Sequence, residues 1–325
     1  MARFLVTDND FPDLELERSL FAAAGAELVV AQCRSEDDVI AAAVGCQGLL
    51  VQRAPVNGRV FKARPEIRIA SRYGAGFDTI NVADARDYGV WVANSPDYGV
   101  GEVATHALGL ALGALRHLAI YDRDIRAGRW HYTSGGTIRR ASDLTLGILG
   151  LGRIGKRFAH IARDCFRNVI ACDPYLIDGD FPVFVGRVDL PTLFRTADLV
   201  SLHVPLNPET AGLVDRMLLQ SMRPGSILVN TARGGVVNID DLVDALESGH
   251  LDAVGIDVLP SEPPRPDHPL LRHPRALLTP HAAFYSGAAE VELRRKAAQN
   301  LIDWARTGRP RYVVVEGRGG NTGAS

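Results

Sequence analysis

The chain has 325 residues, 46 % of them hydrophobic, and 36 Lys and Arg against 38 Asp and Glu give a formal net charge of −2. That length and apolar content suffice for two domains with their own cores, and the near-balanced charge argues against nucleic acid or an anionic membrane as partner. No uninterrupted apolar run approaches the roughly 20 residues that span a bilayer. No leader pattern is visible in Met1-Ala2-Arg3-Phe4-Leu5-Val6, and Cys33, Cys46, Cys165 and Cys172 lack metal-ligand spacing. The expectation is a cytoplasmic protein with reduced, buried thiols and no metal.

Strand and helix patterns alternate from the first residues, as in a doubly wound parallel sheet. The pattern predicts a strand over 4–7, a helix over 12–24, a strand over 27–31, a helix over 36–43, and strands over 48–51, 67–71 and 90–93. This first α/β unit, about ninety-five residues by that count, carries no nucleotide fingerprint of its own. A single long helix, Pro-free and rich in Ala and Leu, is predicted over 102–119. A second α/β unit opens near 144 and continues through strands at 199–203, 226–230 and 253–257. A last helix over 288–306 and a short strand over 312–315 follow, with a Gly-rich tail over 317–325 expected to fray. That last helix has no partner in the second unit. The C-terminal segment is therefore expected to fold back, giving a discontinuous domain of 1–97 with 287–325 and a contiguous domain of 98–286, joined by two connections crossing a cleft. The fold class is α/β, with two Rossmann-like doubly wound domains.

The most informative stretch is Leu146-Gly147-Ile148-Leu149-Gly150-Leu151-Gly152-Arg153-Ile154-Gly155, a buried strand entering a G-x-G-x-x-G turn. Gly150 permits the tight turn, Gly152 lets backbone approach a pyrophosphate, and Gly155 lets helix and strand pack closely. The helix that follows, predicted over 156–163, offers unpaired N–H groups and the positive end of its dipole to phosphates. A second apolar run, Val169-Ile170-Ala171-Cys172, ends on Asp173, whose carboxylate can accept hydrogen bonds from an adenosine ribose. Asp173 would repel a 2′-phosphate, and Pro174 and Tyr175 rather than Arg follow it, so NAD is the expected cofactor. The competing reading of Asp173 is a strand-end cap for the turn at Pro174. Gly150, Gly152, Arg153, Ile154, Gly155 and Asp173 form the expected cofactor motif.

Three polar residues stand just past strand ends, where open α/β sheets bind ligands. These are Arg233 in Asn230-Thr231-Ala232-Arg233-Gly234-Gly235, Glu262 in Asp257-Val258-Leu259-Pro260-Ser261-Glu262-Pro263, and His281 in Thr279-Pro280-His281-Ala282-Ala283. Their types suit hydride transfer to a 2-oxo acid. Arg holds a carboxylate and polarises a carbonyl with a planar fork, His donates a proton near neutral pH, and a carboxylate orients the imidazole and stabilises its cation. Each alone is as readily a surface or structural residue, and spacing does not establish that the three converge. Arg53, in Val51-Gln52-Arg53-Ala54-Pro55, follows a strand of the first unit and is a candidate for binding a second anionic group of the substrate; the alternative is a solvated loop Arg.

In these segments, together with Ser71-Arg72-Tyr73-Gly74-Ala75-Gly76-Phe77-Asp78 and His203-Val204-Pro205-Leu206, the chain resembles the D-isomer-specific 2-hydroxyacid dehydrogenase family. The resemblance implies NAD-dependent reduction of a 2-oxo acid, glyoxylate- or hydroxypyruvate-like, to the D-2-hydroxy acid. It implies a catalytic set of Arg233, Glu262 and His281, and a substrate carboxylate received by Arg233 and by the backbone around Tyr73 and Gly74. Asp257 would hold the nicotinamide amide beside Thr231, Ala232, Arg233 and His281, and His203, Val204 and Pro205 would line the adenosine side. It also implies two Rossmann-like domains with a discontinuous substrate domain, and a homodimer formed through the nucleotide domain, for which the 102–119 helix resembles the dimer-forming segment.

Within the family, Pro280-His281-Ala282-Ala283-Phe284-Tyr285-Ser286 resembles the branch containing the C-terminal-binding proteins, NAD-responsive transcriptional corepressors. That branch commonly carries Trp at the position of Phe284. The difference alters pocket volume and removes an indole donor, so substrate preference does not carry over. The lack of a regulatory extension after the last helix speaks against the longer phosphoglycerate dehydrogenases, and Glu262 against the formate dehydrogenase relatives, which carry Gln beside the His. The second functional reading is an NAD(H)-sensing, corepressor-like dimer with little turnover.

Overall fold

A computed structural model describes residues 1–318. In chain order its elements are β1 (Arg3–Val6), α1 (Glu15–Ala23), β2 (Glu27–Val30), α2 (Glu36–Ala42), β3 (Gly48–Val51), α3 (Gly58–Ala63), β4 (Ile69–Arg72), α4 (Val82–Tyr88) and β5 (Trp91–Ala93). Then come α5 (Val100–Leu115), α6 (Leu118–Arg126), β6 (Thr145–Leu149), α7 (Arg153–Ala162), β7 (Asn168–Cys172), β8 (Val185–Arg187), α8 (Leu190–Thr196) and β9 (Leu199–Leu202). The chain continues with α9 (Arg216–Ser221), β10 (Ser226–Asn230), α10 (Ile239–Glu247), β11 (Leu251–Ile256), β12 (Ala276–Leu278), α11 (Gly287–Thr307) and β13 (Val313–Val315).

These elements form two compact units, one of residues 1–98 with the segment from Ser286 onward, the other of Gly99–Tyr285. The first has a six-stranded sheet of order β13-β5-β4-β3-β1-β2, parallel except for β13, which pairs antiparallel with β5. One face of the sheet packs Leu5, Leu49, Val51, Ala70 and Val92 against Val39, Val60, Phe61 and Ala85 of α2, α3 and α4. On the other, α11 packs beside α1 and against β3 and β4. Arg294 of α11 lies bidentate on the fully buried Glu17 of α1, at 2.9 and 2.7 Å.

The second unit has a seven-stranded parallel sheet of order β12-β11-β10-β9-β6-β7-β8. Its direction of growth reverses between β6 and β9, the place where doubly wound sheets open a crevice at their strand carboxyl ends. Ala104, Ala107, Leu110 and Ala111 of α5 join Phe158, Ala159 and Ala162 of α7 in the core on one face. Leu193, Phe194, Leu219, Leu242 and Leu246 of α8, α9 and α10 fill the other.

Three readings of the sequence need correction. The helix expected over 102–119 is two helices, α5 and α6, bent by 63°. The break is at His117, whose φ of 51° no helix accommodates; the buried ring is held by Gly135 O at Nδ1 (2.5 Å) and Asp252 Oδ2 at Nε2 (2.8 Å). The helix expected from residue 12 starts at Glu15, because the Asp13 carboxylate takes the Glu15 N–H at 3.0 Å. Five helices of six to nine residues (α3, α4, α8, α9, α10) and the edge strand β8 are too short to show a period and were not anticipated. Of the Gly-rich tail, Arg318 donates its N–H to Gly89 O at 2.8 Å rather than fraying; residues 319–325 lie outside the described residues.

Candidate active site

β6 runs directly into the glycine turn. Gly150 sits at φ +89°, and a Cβ there would come within 2.8 Å of the His203 carbonyl. A Cβ on Gly155 would lie 2.1 Å from Gly150 O, so strand and helix touch there backbone to backbone. Gly152 is different: it is the exposed first residue before α7, and a Cβ on it would meet only open space. Two glycines are thus demanded by the fold, whereas the third keeps clear the space in front of a helix N-terminus. Arg153 is exposed and Ile154 half-buried in the first turn of α7.

Asp173 Oδ2 accepts the Leu151 N–H at 2.8 Å and Oδ1 the Tyr175 N–H at 3.0 Å. The carboxylate therefore pins the glycine turn, the capping role weighed against ribose binding, while each oxygen keeps lone-pair capacity for a second donor. The Tyr175 hydroxyl donates to the Glu209 carboxylate. On the facing loop, the His203 ring packs 4.9 Å from Phe158 and shares a 2.9 Å hydrogen bond with Ser201 Oγ. Desolvation pushes its pKa down to about 3, so the imidazole is neutral. Val204 is half-buried and Pro205 exposed.

The carboxyl end of β10 is fixed by Asn230, 1 % exposed, which accepts the Ala232 N–H (2.9 Å) and donates to Arg233 O (2.9 Å). The buried Thr231 Oγ1 has no hydrogen-bond partner among the described residues. Arg233 follows in extended backbone, its Nη1 donating to Ala232 O at 2.8 Å. Next to it, a Cβ on Gly234 would stand 2.0 Å from the Leu259 carbonyl carbon. Only glycine lets the loop after β10 lie this close to the loop after β11, and that loop carries Glu262.

Glu262 bridges two groups. Its Oε1 accepts the Leu259 N–H at 3.0 Å, and its Oε2 is 2.6 Å from His281 Nδ1. Nδ1 is thereby engaged, and Nε2 is the nitrogen left for chemistry. Glu262 and His281 are each about a third exposed, open enough to meet a ligand. His281 itself is a non-glycine residue at φ 54°, with its N–H donated to Asp257 O at 2.8 Å. The Asp257 side chain, 1 % exposed, accepts from Ala282 N (2.8 Å), Ala283 N (3.0 Å) and Thr279 Oγ1 (2.5 Å). Asp257 thus serves as the clamp of the His281 loop, a role its sequence position did not disclose. His106 on α5, absent from the sequence reading, reaches Thr279 Oγ1 at 2.9 Å; a lone His on an apolar helix gives no signal of this.

The remaining candidates belong to the first unit. Arg53 is 64 % exposed and ion-paired with Asp10 at 3.1 Å. The Tyr73 ring is buried with its hydroxyl on Glu17 (3.2 Å), and its backbone N–H is donated to Val51 O at 2.8 Å. Gly74 has φ +151°; its N–H points to Arg72 O and its carbonyl accepts the Ser95 N–H.

The second unit is thus a doubly wound dinucleotide-binding fold with a Glu–His pair at its carboxyl edge. The open space at Gly152, the α7 N-terminus and the orphaned Thr231 hydroxyl fit a dinucleotide. The chain belongs to the D-isomer specific 2-hydroxyacid dehydrogenase family, whose NAD binding domain model matches residues 108–283. It is 36 % identical over 297 residues to the D-3-phosphoglycerate dehydrogenase of Mycobacterium leprae, covering 90 % of this chain and 55 % of that protein. It is 34 % identical to the hydroxypyruvate reductase of Thermotoga maritima, over 93 % of this chain and 97 % of the relative. Among solved structures it resembles an NADPH-dependent glyoxylate/hydroxypyruvate reductase of Sinorhizobium meliloti in complex with NADP and malonate, with TM-score 0.88, 26 % identity and 99 % of both chains covered. The chain spans about half the length of the phosphoglycerate dehydrogenases it matches.

Proposed function

We propose that the protein is an NAD-dependent D-2-hydroxyacid dehydrogenase that reduces a small 2-oxo acid of the glyoxylate or hydroxypyruvate type. The observation that carries this reading is the 2.6 Å contact of Glu262 with His281 Nδ1, on a loop packed against the one bearing Arg233. Bound at the glycine turn, NADH supplies the hydride. Arg233 holds the substrate carboxylate and polarises the carbonyl through its guanidinium fork. His281 delivers the proton from Nε2 to the carbonyl oxygen, and Glu262 fixes the ring and stabilises the imidazolium. Gly150, Gly152, Arg153, Ile154 and Gly155 cradle the pyrophosphate. Asp173 accepts from the ribose and disfavours a 2′-phosphate. His203, Val204 and Pro205 flank the adenosine, and Thr231, Ala232 and the Asp257 loop flank the nicotinamide.

In this reading residues 99–285 are the NAD domain and the first unit is the substrate domain, supplying the backbone around Tyr73 and Gly74 for the carboxylate and Arg53 for a second anionic group. The assembly is a homodimer through the NAD domain. The free thiols of Cys33, Cys46 and Cys172, all buried, suit the reducing cytoplasm.

The test is NADH oxidation across a panel of glyoxylate, hydroxypyruvate, pyruvate, a branched-chain oxo acid and a phosphorylated one. Turnover is expected on at least one, and His281→Ala should lower kcat by about 10²–10⁴-fold with NADH binding retained. Undiminished turnover in that variant refutes the role of His281. Tight NADH binding without turnover on any member would transfer the weight to an NAD(H)-sensing role.

A further inference from the structure

Thr279 Oγ1 stands between two partners, His106 Nε2 at 2.9 Å and Asp257 Oδ1 at 2.5 Å. A hydroxyl has one proton to give, and a carboxylate only accepts. Thr279 therefore donates to Asp257 and must accept from His106, which fixes the proton of the His106 ring on Nε2. The order of donation runs from His106 on α5, through Thr279 at the end of β12, to Asp257 at the end of β11. Asp257 in turn holds the amides of Ala282 and Ala283 with its carboxylate and that of His281 with its backbone carbonyl. His281 lies at φ 54°, a conformation that costs a non-glycine residue energy and persists only where its surroundings impose it.

We propose that His106 is a positioning residue for His281: the Nε2–H of His106 locks Thr279 onto Asp257, and Asp257 keeps the 281–283 backbone in the strained conformation that presents the imidazole. This rests on the reading of His281 as proton donor. The side chain of His106 is 27 % exposed, and its Nε2 lies nearer Thr279 Oγ1, at 2.9 Å, than Asp257 Oδ1, at 3.7 Å, so it acts through Thr279.

The full-length protein is tested as His106→Leu, which removes the donor, and His106→Gln, which keeps a donor near the same place. His106→Leu is expected to lower kcat about 10- to 100-fold, the scale of a catalytic group displaced by a fraction of an ångström to one ångström, with little change in NADH affinity. His106→Gln should recover most of that loss. Amide hydrogen exchange at Ala282 and Ala283 should quicken in the Leu variant and return toward the parent rate in the Gln variant. A Leu variant matching the parent in kcat and exchange, or a Gln variant as impaired as Leu, overturns the proposal. If the parent turns over no 2-oxo acid, the dehydrogenase reading falls, and the exchange rates still decide whether His106 holds the loop.

Discussion

At the scale of single residues, two kinds of site residue differ in what the sequence discloses. Gly150, Gly155 and Gly234 are demanded by backbone approaches of 2.8 Å or less, and a motif can signal such a need. Glu262 and His281 are separated by 19 residues, and nothing in that spacing says that they meet at 2.6 Å. Arg53 is a third case, because its loop is fixed while its head group is not. The Asp8 carboxylate accepts the N–H groups of Gln52, Arg53 and Ala54, at 3.2, 2.6 and 3.2 Å. The guanidinium, by contrast, is tied among the described residues only to an exposed Asp10. Exposed ion pairs are worth about 0–1 kcal/mol, so an anionic ligand can displace Asp10. Arg53→Ala is therefore expected to raise KM about tenfold for a phosphorylated or dicarboxylic 2-oxo acid, the loss of one charge-assisted contact, and to leave glyoxylate nearly unaffected. An equal rise for all substrates in steady-state kinetics would refute the assignment.

At the scale of elements, the long and periodic parts of the sheet-helix alternation are legible, and the short parts are legible only through their caps. The helices missed by periodicity begin at Asn57, Asn81, Asp189, Asp215 and Asn238, whose side chains each accept a first-turn amide. A reading that weighted Asn and Asp caps above period would have found them. The bend at His117 was not legible by either signal, since it depends on Gly135 and Asp252, partners distant in sequence. That bend has a consequence for assembly. α5 spends its small residues in the core, while α6 and the segment after it leave Leu118, Ile125, Trp130 and Tyr132 exposed, the last two by more than 80 %. Large apolar groups gathered in one stretch mark a contact surface, and a second copy of this chain is the occupant that the homodimer reading supplies. The double variant Ile125→Asp, Trp130→Ser should shift the protein from dimer to monomer in sedimentation velocity while NADH binding persists. An unchanged dimer would place the interface elsewhere.

At the scale of the molecule, the two units differ in how the chain completes them. The second is contiguous over 99–285, with its own sheet and a core on each face. The first closes only with the C-terminal segment: α11 covers β3 and β4, β13 pairs with β5, and Arg294 neutralises the buried Glu17. Without that segment Glu17 loses its cation together with the helix packed over α1, and the apolar face of β3 and β4 beneath α11 is opened to water, a large loss for a small domain. A fragment of residues 99–285 is therefore expected to fold alone and bind NADH, whereas residues 1–98 alone should lack cooperative unfolding. The same 1–98 fragment joined by a flexible linker to residues 286–318 should regain it, because the missing partners are supplied in cis. Circular dichroism during thermal unfolding distinguishes these outcomes. A cooperative transition in 1–98 by itself would show that its core is sufficient without α11, and that the return of the chain serves some purpose other than completing the fold.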